Sequence, residues 1–147
     1  MAIADRTART DWEGNLARGT GRITPDSGAY EPLEVTWASR TEQPGGKTSP
    51  EELLAAAHSS CFAMALNLVL GEQHIPAEKT SVSATVTLDE VAGKPTITTS
   101  RITVRATVPG ADEQKFQAAV DQAADLCPVS RLFGNAEISV EATLAKG

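Results

Sequence analysis

A single stretch, Ser49 to Gly71, limits what this chain can become. Ser49 is a helix N-cap residue, Pro50 fits the first helical position, and Glu52 three places after the serine completes a capping box. Gly71 follows the last apolar residue as a stop signal. About 21 residues in that state make a rod roughly 31 Å long. Leu53 to Ala57 and Cys61 to Leu70 are apolar on nearly every face, and only His58, Ser59, Ser60 and Asn67 interrupt them. Such a helix is expected to be buried all round. The rest of the chain reads as packing for it, mostly in the form of sheet.

The flanking segments supply that sheet. Residues 7–13 and 16–24 read as two short strands joined at Gly14-Asn15, with Gly19 and Gly21 marking a bulge or an edge. Alternating Leu33, Val35 and Trp37 read as a third strand that ends near Arg40, followed by a Pro/Gly loop over 41–47. After the helix, Val82, Ala84, Val86 and Leu88 alternate with polar residues, and residues 89–95 make the turn. The next strand, about 96–108, has Ile97 out of phase with Ile102, Val104, Ala106 and Val108, which calls for a bulge near Ser100. Phe116, Ala119, Val120, Ala123 and Ala124 recur at helical spacing over 112–127, so Cys127 projects from the same inward face. A turn over 129–135 leads to a last alternating strand with Ile138, Val140, Ala142 and Leu144 inside. The expected product is one α+β domain over residues 1–147, with largely antiparallel sheets packed on two helices.

Charge excludes one class of partner. The net charge of −6, with no run of Lys or Arg, disfavours nucleic acid. The N-terminus lacks an apolar leader, and the one long apolar stretch is broken by polar residues, so a cytoplasmic protein without a membrane partner is expected. In a reducing compartment Cys61 and Cys127 are not a permanent structural bridge; a bridge, if one forms, is transient and catalytic. Against that stands the plain reading of two inert buried thiols.

For Cys61 to react it must become a thiolate, and nothing local helps. It is the twelfth residue of the helix, beyond reach of the N-terminal dipole, and burial favours the neutral thiol. A cation from elsewhere is needed, and Arg40, Lys47, His58 and Arg131 are the candidates. His58, three residues before Cys61, can touch it but more commonly such a ring is hydrogen-bonded to its surroundings. Arg40 carries most weight, because it precedes the helix and guanidinium stays charged when partly buried. Its carboxylate partner is expected to be Glu51, since Glu52 is engaged in the capping box. Glu51 and Cys61 stand roughly 15 Å apart along one helix and about 80° apart around it. One arginine serving both therefore implies antiparallel helices from two chains, and a site shared across a homodimer.

These residues resemble the OsmC/Ohr family of thiol peroxidases, and more its OsmC branch. The resemblance spans nearly the whole chain. It rests on Asp11-Trp12-Glu13-Gly14 with Arg18-Gly19, on Ser49-Pro50-Glu51-Glu52-Leu53 leading to Ala56-Ala57-His58-Ser59-Ser60-Cys61-Phe62, and on Cys127-Pro128-Val129-Ser130. Ser49 departs from the usual asparagine, and serine caps a helix equally well. The resemblance implies an intertwined homodimer with two long buried helices at its centre, and a peroxidase free of metal, haem or other cofactor. It further implies that Cys61 attacks a hydroperoxide, that Cys127 resolves the sulfenic acid as a disulfide, and that Arg40 and Glu51 complete the site. A dithiol or lipoyl-protein reductant is implied for some members. The other reading of the same cysteine pair is a stress-sensing redox switch without efficient turnover. Phe62, Met64, Leu132 and Phe133 are expected as walls of a substrate pocket or else as plain core residues.

Overall fold

In the computed structural model, residues 1–134 and 136–146 are described, and they divide into two compact units, 1–53 and from Leu54 onward. The first holds an antiparallel sheet of β1 (Ala8–Glu13), β2 (Thr20–Pro25) and β3 (Leu33–Val35), in that order. β2 is thus the central strand, and its pairing with β1 runs without a shift, so the glycines mark neither edge nor bulge. They make room instead. Trp12 pairs with Gly21, where an added Cβ would lie 2.8 Å from the indole and 2.7 Å from Val35 Cγ1. The indole N–H closes the β1–β2 turn by donating to the Gly14 carbonyl at 3.1 Å.

The third strand is shorter than its alternation suggests. Thr36 caps a short helix, α1 (Trp37–Thr41), in a box with Ser39: the Ser39 N–H donates to Thr36 Oγ1 and the Thr36 N–H to Ser39 Oγ, each at 2.9 Å. Trp37 and Arg40 are therefore helical, not strand and loop. The capping box defeats the alternation because it satisfies two backbone donors within four residues, which a strand edge cannot do alone.

Helix α2 (Pro50–Glu72) begins in the first unit and has most of its length in the second. Ser49 caps it by accepting from the Glu52 N–H at 3.1 Å, but the Glu52 carboxylate accepts from Thr48 Oγ1 at 2.6 Å rather than closing a box. Gly71 lies inside the helix. The turn that ends it is made by His74 at φ 59°, with the Ile75 N–H donating to the Leu70 carbonyl and the His74 N–H to Gly71, the paired bonds of a left-handed C-terminal cap. Ile75 then packs on the core. Nor is α2 buried all round within one chain. His58, Phe62, Ala65, Leu66, Val69 and Leu70 are buried, whereas Met64 is 74% and Leu68 55% exposed on the opposite face.

The second unit's sheet consists of β4 (Lys79–Val91), β5 (Lys94–Thr107) and β6 (Glu137–Leu144), with β5 central. The β4–β5 hairpin turns at Ala92-Gly93, both at positive φ, in place of the longer turn expected over 89–95. The bulge near Ser100 is present: Thr87 pairs with Thr99 and Leu88 with Ile97, leaving Thr98 as the extra residue. β6 runs parallel to β5, so this sheet is mixed. Its crossover carries α3 (Glu113–Leu126), capped by Asp112, and α4 (Pro128–Leu132). The turn expected over 129–135 is thus mostly helical, and its last residue, Asn135, lies outside the described residues. Phe62, Leu66, Val69 and Leu70 of α2 share the core with Ile102 and Val104 of β5 and Phe116 and Ala119 of α3. Each of the Phe, Leu, Ile and Val side chains among them contributes about 1.5–3 kcal/mol of burial.

Candidate active site

Cys127 ends α3 and also caps α4, and its side chain is fully buried. Pro128 follows at the first position of α4 and has no N–H, so the first backbone donor of that helix is Val129. That N–H lies close enough to the sulfur of Cys61 to lower its pKa, and the Cys127 side chain lies beside the same sulfur. Both cysteines are free thiols. Cys61 and Cys127, far apart in sequence, are therefore neighbours, and the α3 spacing that aims Cys127 inward is the reason.

Burial pushes the Cys61 thiol above its ordinary pKa, the Val129 N–H pulls it back, and the Cys127 thiol raises it again. Neither of those two groups is a cation. His58 does not act as one: its ring is fully buried, and burial lowers its pKa so that it stays neutral. Nδ1 lies 2.5 Å from Ser100 Oγ on β5 and Nε2 lies 2.8 Å from Ser130 Oγ on α4, with the Phe133 ring 5.2 Å away. His58 is a satisfied core histidine rather than a partner of Cys61. Of the other candidate cations, Arg131 is exposed in the last turn of α4 and Lys47 is half-buried in the loop before α2.

Arg40 and Glu51 meet in the first unit. Arg40 Nε donates to Glu51 Oε1 at 2.6 Å and to Oε2 at 3.2 Å. The Glu51 side chain is nearly buried and the Arg40 side chain about a third exposed, at 11% and 31%. Glu51 is in the first turn of α2, where the helix N-terminus favours a carboxylate. Within the described contacts the pair uses Nε alone, which leaves the terminal nitrogens of the fork for another acceptor. Beside it is a cavity of ≈ 460 Å³ whose walls include Trp12, Leu16, Val35, Trp37, Leu53 and Arg40. It is almost entirely apolar apart from the guanidinium.

The structure thus brings together the expected residues as two pairs, Cys61 with Cys127 in one unit and Arg40 with Glu51 in the other. The expected pocket walls fare differently. Phe62 is core, Phe133 packs on His58, and Met64 and Leu132 are exposed. The walls beside Arg40 are not legible in the sequence, because Trp12 of β1 and Trp37 of α1 reach one cavity only once the first unit has folded. The Asp11-Trp12-Glu13-Gly14 motif was their one signal. The Val129 N–H has one signal in the sequence, the Cys-Pro pair, which announces a helix start with its first donor two residues on.

Comparison with known proteins identifies the family of the chain. Residues 43–143 match the family model described as OsmC-like protein. Peroxiredoxin OsmC of Escherichia coli K12 is 35% identical over 136 residues, 92% of this chain and 94% of that protein. The organic hydroperoxide resistance protein OhrB of Bacillus subtilis is 31% identical over 138 residues, 92% of this chain and 96% of its own length. Its crystal structure superposes with a TM-score of 0.71, at 29% identity, over 93% of this chain and 98% of that one. An organic hydroperoxide resistance protein OsmC from Legionella pneumophila reaches a TM-score of 0.77 over 97% and 99% of the two chains; at 24% identity it speaks for the fold. By sequence and by fold, this chain belongs to the OsmC-like family.

Proposed function

We propose that the chain is a cysteine-based hydroperoxide reductase. The observation that carries the reading is the Cys61 thiol set against the Cys127 thiol under a backbone N–H, in a family whose relatives are named peroxiredoxin and organic hydroperoxide resistance protein. The Cys61 thiolate attacks the outer oxygen of ROOH, the O–O bond breaks, and RO⁻ leaves as ROH after taking a proton. Cys61 is then a sulfenic acid. The Cys127 thiol attacks its sulfur, water leaves, and a Cys61–Cys127 disulfide remains. A dithiol, free or carried on a lipoyl-protein, restores both thiols by exchange.

The unactivated state of Cys61 fits a shared site. Its pKa lies above the ordinary value, so a cation has to arrive with the substrate pocket. Arg40 is that cation in this reading, held by Glu51 through Nε, with its free nitrogens turned to the thiolate and to the leaving oxygen. Glu51 and Cys61 are ten residues apart on one helix, so the Arg40–Glu51 pair serves the Cys61 of a second copy in a homodimer. The exposed α2 face supports this: Ala57, Ser60, Met64, Leu68 and Gly71 form a stripe of small and apolar residues suited to close packing of a second helix. The apolar cavity beside Arg40 suits the organic part of an alkyl hydroperoxide.

Consumption of cumene hydroperoxide and of hydrogen peroxide, with dithiothreitol or dihydrolipoamide in excess, tests the reading. Sustained turnover that vanishes in Cys61→Ser supports it. One equivalent of oxidation followed by arrest with both reductants favours the redox switch instead.

A further inference from the structure

We infer that His58 is a positioning residue for the Cys61 thiol, holding Ser130 so that the adjacent Val129 N–H meets the sulfur. The inference rests on Cys61 being the reacting group proposed above, and it gives a task to a buried imidazole that the reaction itself does not use. Helix α4 has five residues, too few to be stable unaided. Its place must be imposed from outside. Ser130 Oγ is tied to His58 Nε2 at 2.8 Å, and the other ring nitrogen is tied to Ser100 Oγ on the central strand of the sheet at 2.5 Å. The Phe133 ring covers the imidazole just beyond the end of α4. The ring is therefore held on three sides.

These contacts close a circuit. It leaves α2 at His58, crosses to Ser130, steps one residue back along α4 to the Val129 N–H, and returns to α2 at Cys61. His58 and Cys61 are three residues apart on one helix, about one turn, so a single rigid element carries both ends. A hydroxyl at position 130 thereby fixes where the N–H beside the sulfur sits. The groups that face the imidazole from β5 and α4, among the described residues, are hydroxyls and an aromatic ring, none of them charged. A neutral ring with one donor and one acceptor nitrogen matches two hydroxyls, each able to give or take a proton. A satisfied core histidine and nothing more would leave Cys61 indifferent to Ser130.

Alkylation of Cys61 by iodoacetamide, followed by peptide mass spectrometry on the reduced, folded protein from about pH 6 to about pH 10, reads thiolate formation directly. It needs no peroxide turnover, so the result stands whether or not the chain is a peroxidase. In Ser130→Ala the midpoint of the profile is expected to move up by about one pH unit, roughly tenfold less thiolate at neutral pH, and Ser130→Thr is expected to restore it. A wild-type profile in Ser130→Ala, or a Thr variant as impaired as the Ala one, overturns the inference. Should Ser130→Ala fail to fold, Ser100→Ala releases the other end of the imidazole. An upward shift there supports the circuit, and an unchanged profile refutes it.

Discussion

Replacing Glu51 by glutamine keeps an oxygen opposite Arg40 Nε and removes its charge, which makes it the sharpest probe of the ion pair. Two unit charges about 4 Å apart attract by about 4 kcal/mol at an effective dielectric constant near 20. That gross figure shrinks here, because the Glu51 side chain has lost most of its water while 31% of the Arg40 side chain remains exposed to it. Since the glutamine carbonyl oxygen keeps the short Nε contact in weakened form while its NH2 can no longer accept the longer one, Glu51→Gln is expected to cost about 1–2 kcal/mol. For a chain of 147 residues this is a fall in Tm of roughly 3–6 °C. Activity should suffer more than stability. An arginine displaced by an ångström loses about tenfold to a hundredfold in kcat/KM. Steady-state kinetics with cumene hydroperoxide and a thermal melt measure the two separately. The double variant Arg40→Met/Glu51→Gln separates them further: with neither charge left unpaired, stability should return to within about 1 kcal/mol of wild type while kcat/KM stays at its floor. If Glu51→Gln melts within about 0.5 kcal/mol of wild type and keeps full kcat/KM, the reasoning about this pair is wrong.

Three other outcomes are expected. Gly21→Ala places a methyl group against the Trp12 ring and Val35, and should destabilise by about 1–3 kcal/mol in denaturant titration. His58 is held neutral by burial, its pKa below the ordinary 6.5, so the unfolded chain binds its proton first as pH falls. Stability from this group is complete above about pH 6.5 and drops on acidification towards the folded pKa, with a slope of at most about 1.4 kcal/mol per pH unit, and His58→Gln should flatten that part of the curve. Leu68→Asp puts a charge in the exposed α2 stripe and should shift sedimentation from dimer to monomer; a dimer unchanged by it would count against the shared site.

Much of the second unit can be read from periodicity, because its strands alternate over long stretches and α3 has a clean apolar face. The first unit resists. Leu33, Val35 and Trp37 alternate as a strand does, yet Thr36 and Ser39 form a capping box that costs nothing in hydrophobic pattern and turns the chain into α1. Gly71 looks like a stop, but the left-handed turn falls on His74, where the paired bonds to Leu70 and Gly71 close. The parallel setting of β6 depends on the length of the α3–α4 crossover, which strand patterning does not report. In the site, Cys61, Cys127, Arg40 and Glu51 stand out by residue type. Ser100, Ser130 and the Val129 N–H do not, since serines and backbone amides acquire their meaning only through long-range contact.

The extra residue at Thr98 has a consequence for how the chain tolerates insertion and deletion. Along a strand, odd and even positions face opposite ways, so adding or removing one residue normally reverses everything beyond it. Thr98 absorbs such a step. On one side of it the hairpin tip keeps Ile97 opposite Leu88; on the other, Ser100, Ile102, Val104 and Ala106 keep their inward face. The parity of the site-bearing half is thereby insulated from the length of the tip. Losing Thr98 itself, or changing residues 89–97, leaves Ser100 under His58, whereas a one-residue deletion anywhere between Thr99 and Val108 turns either the serine or the core below it towards solvent.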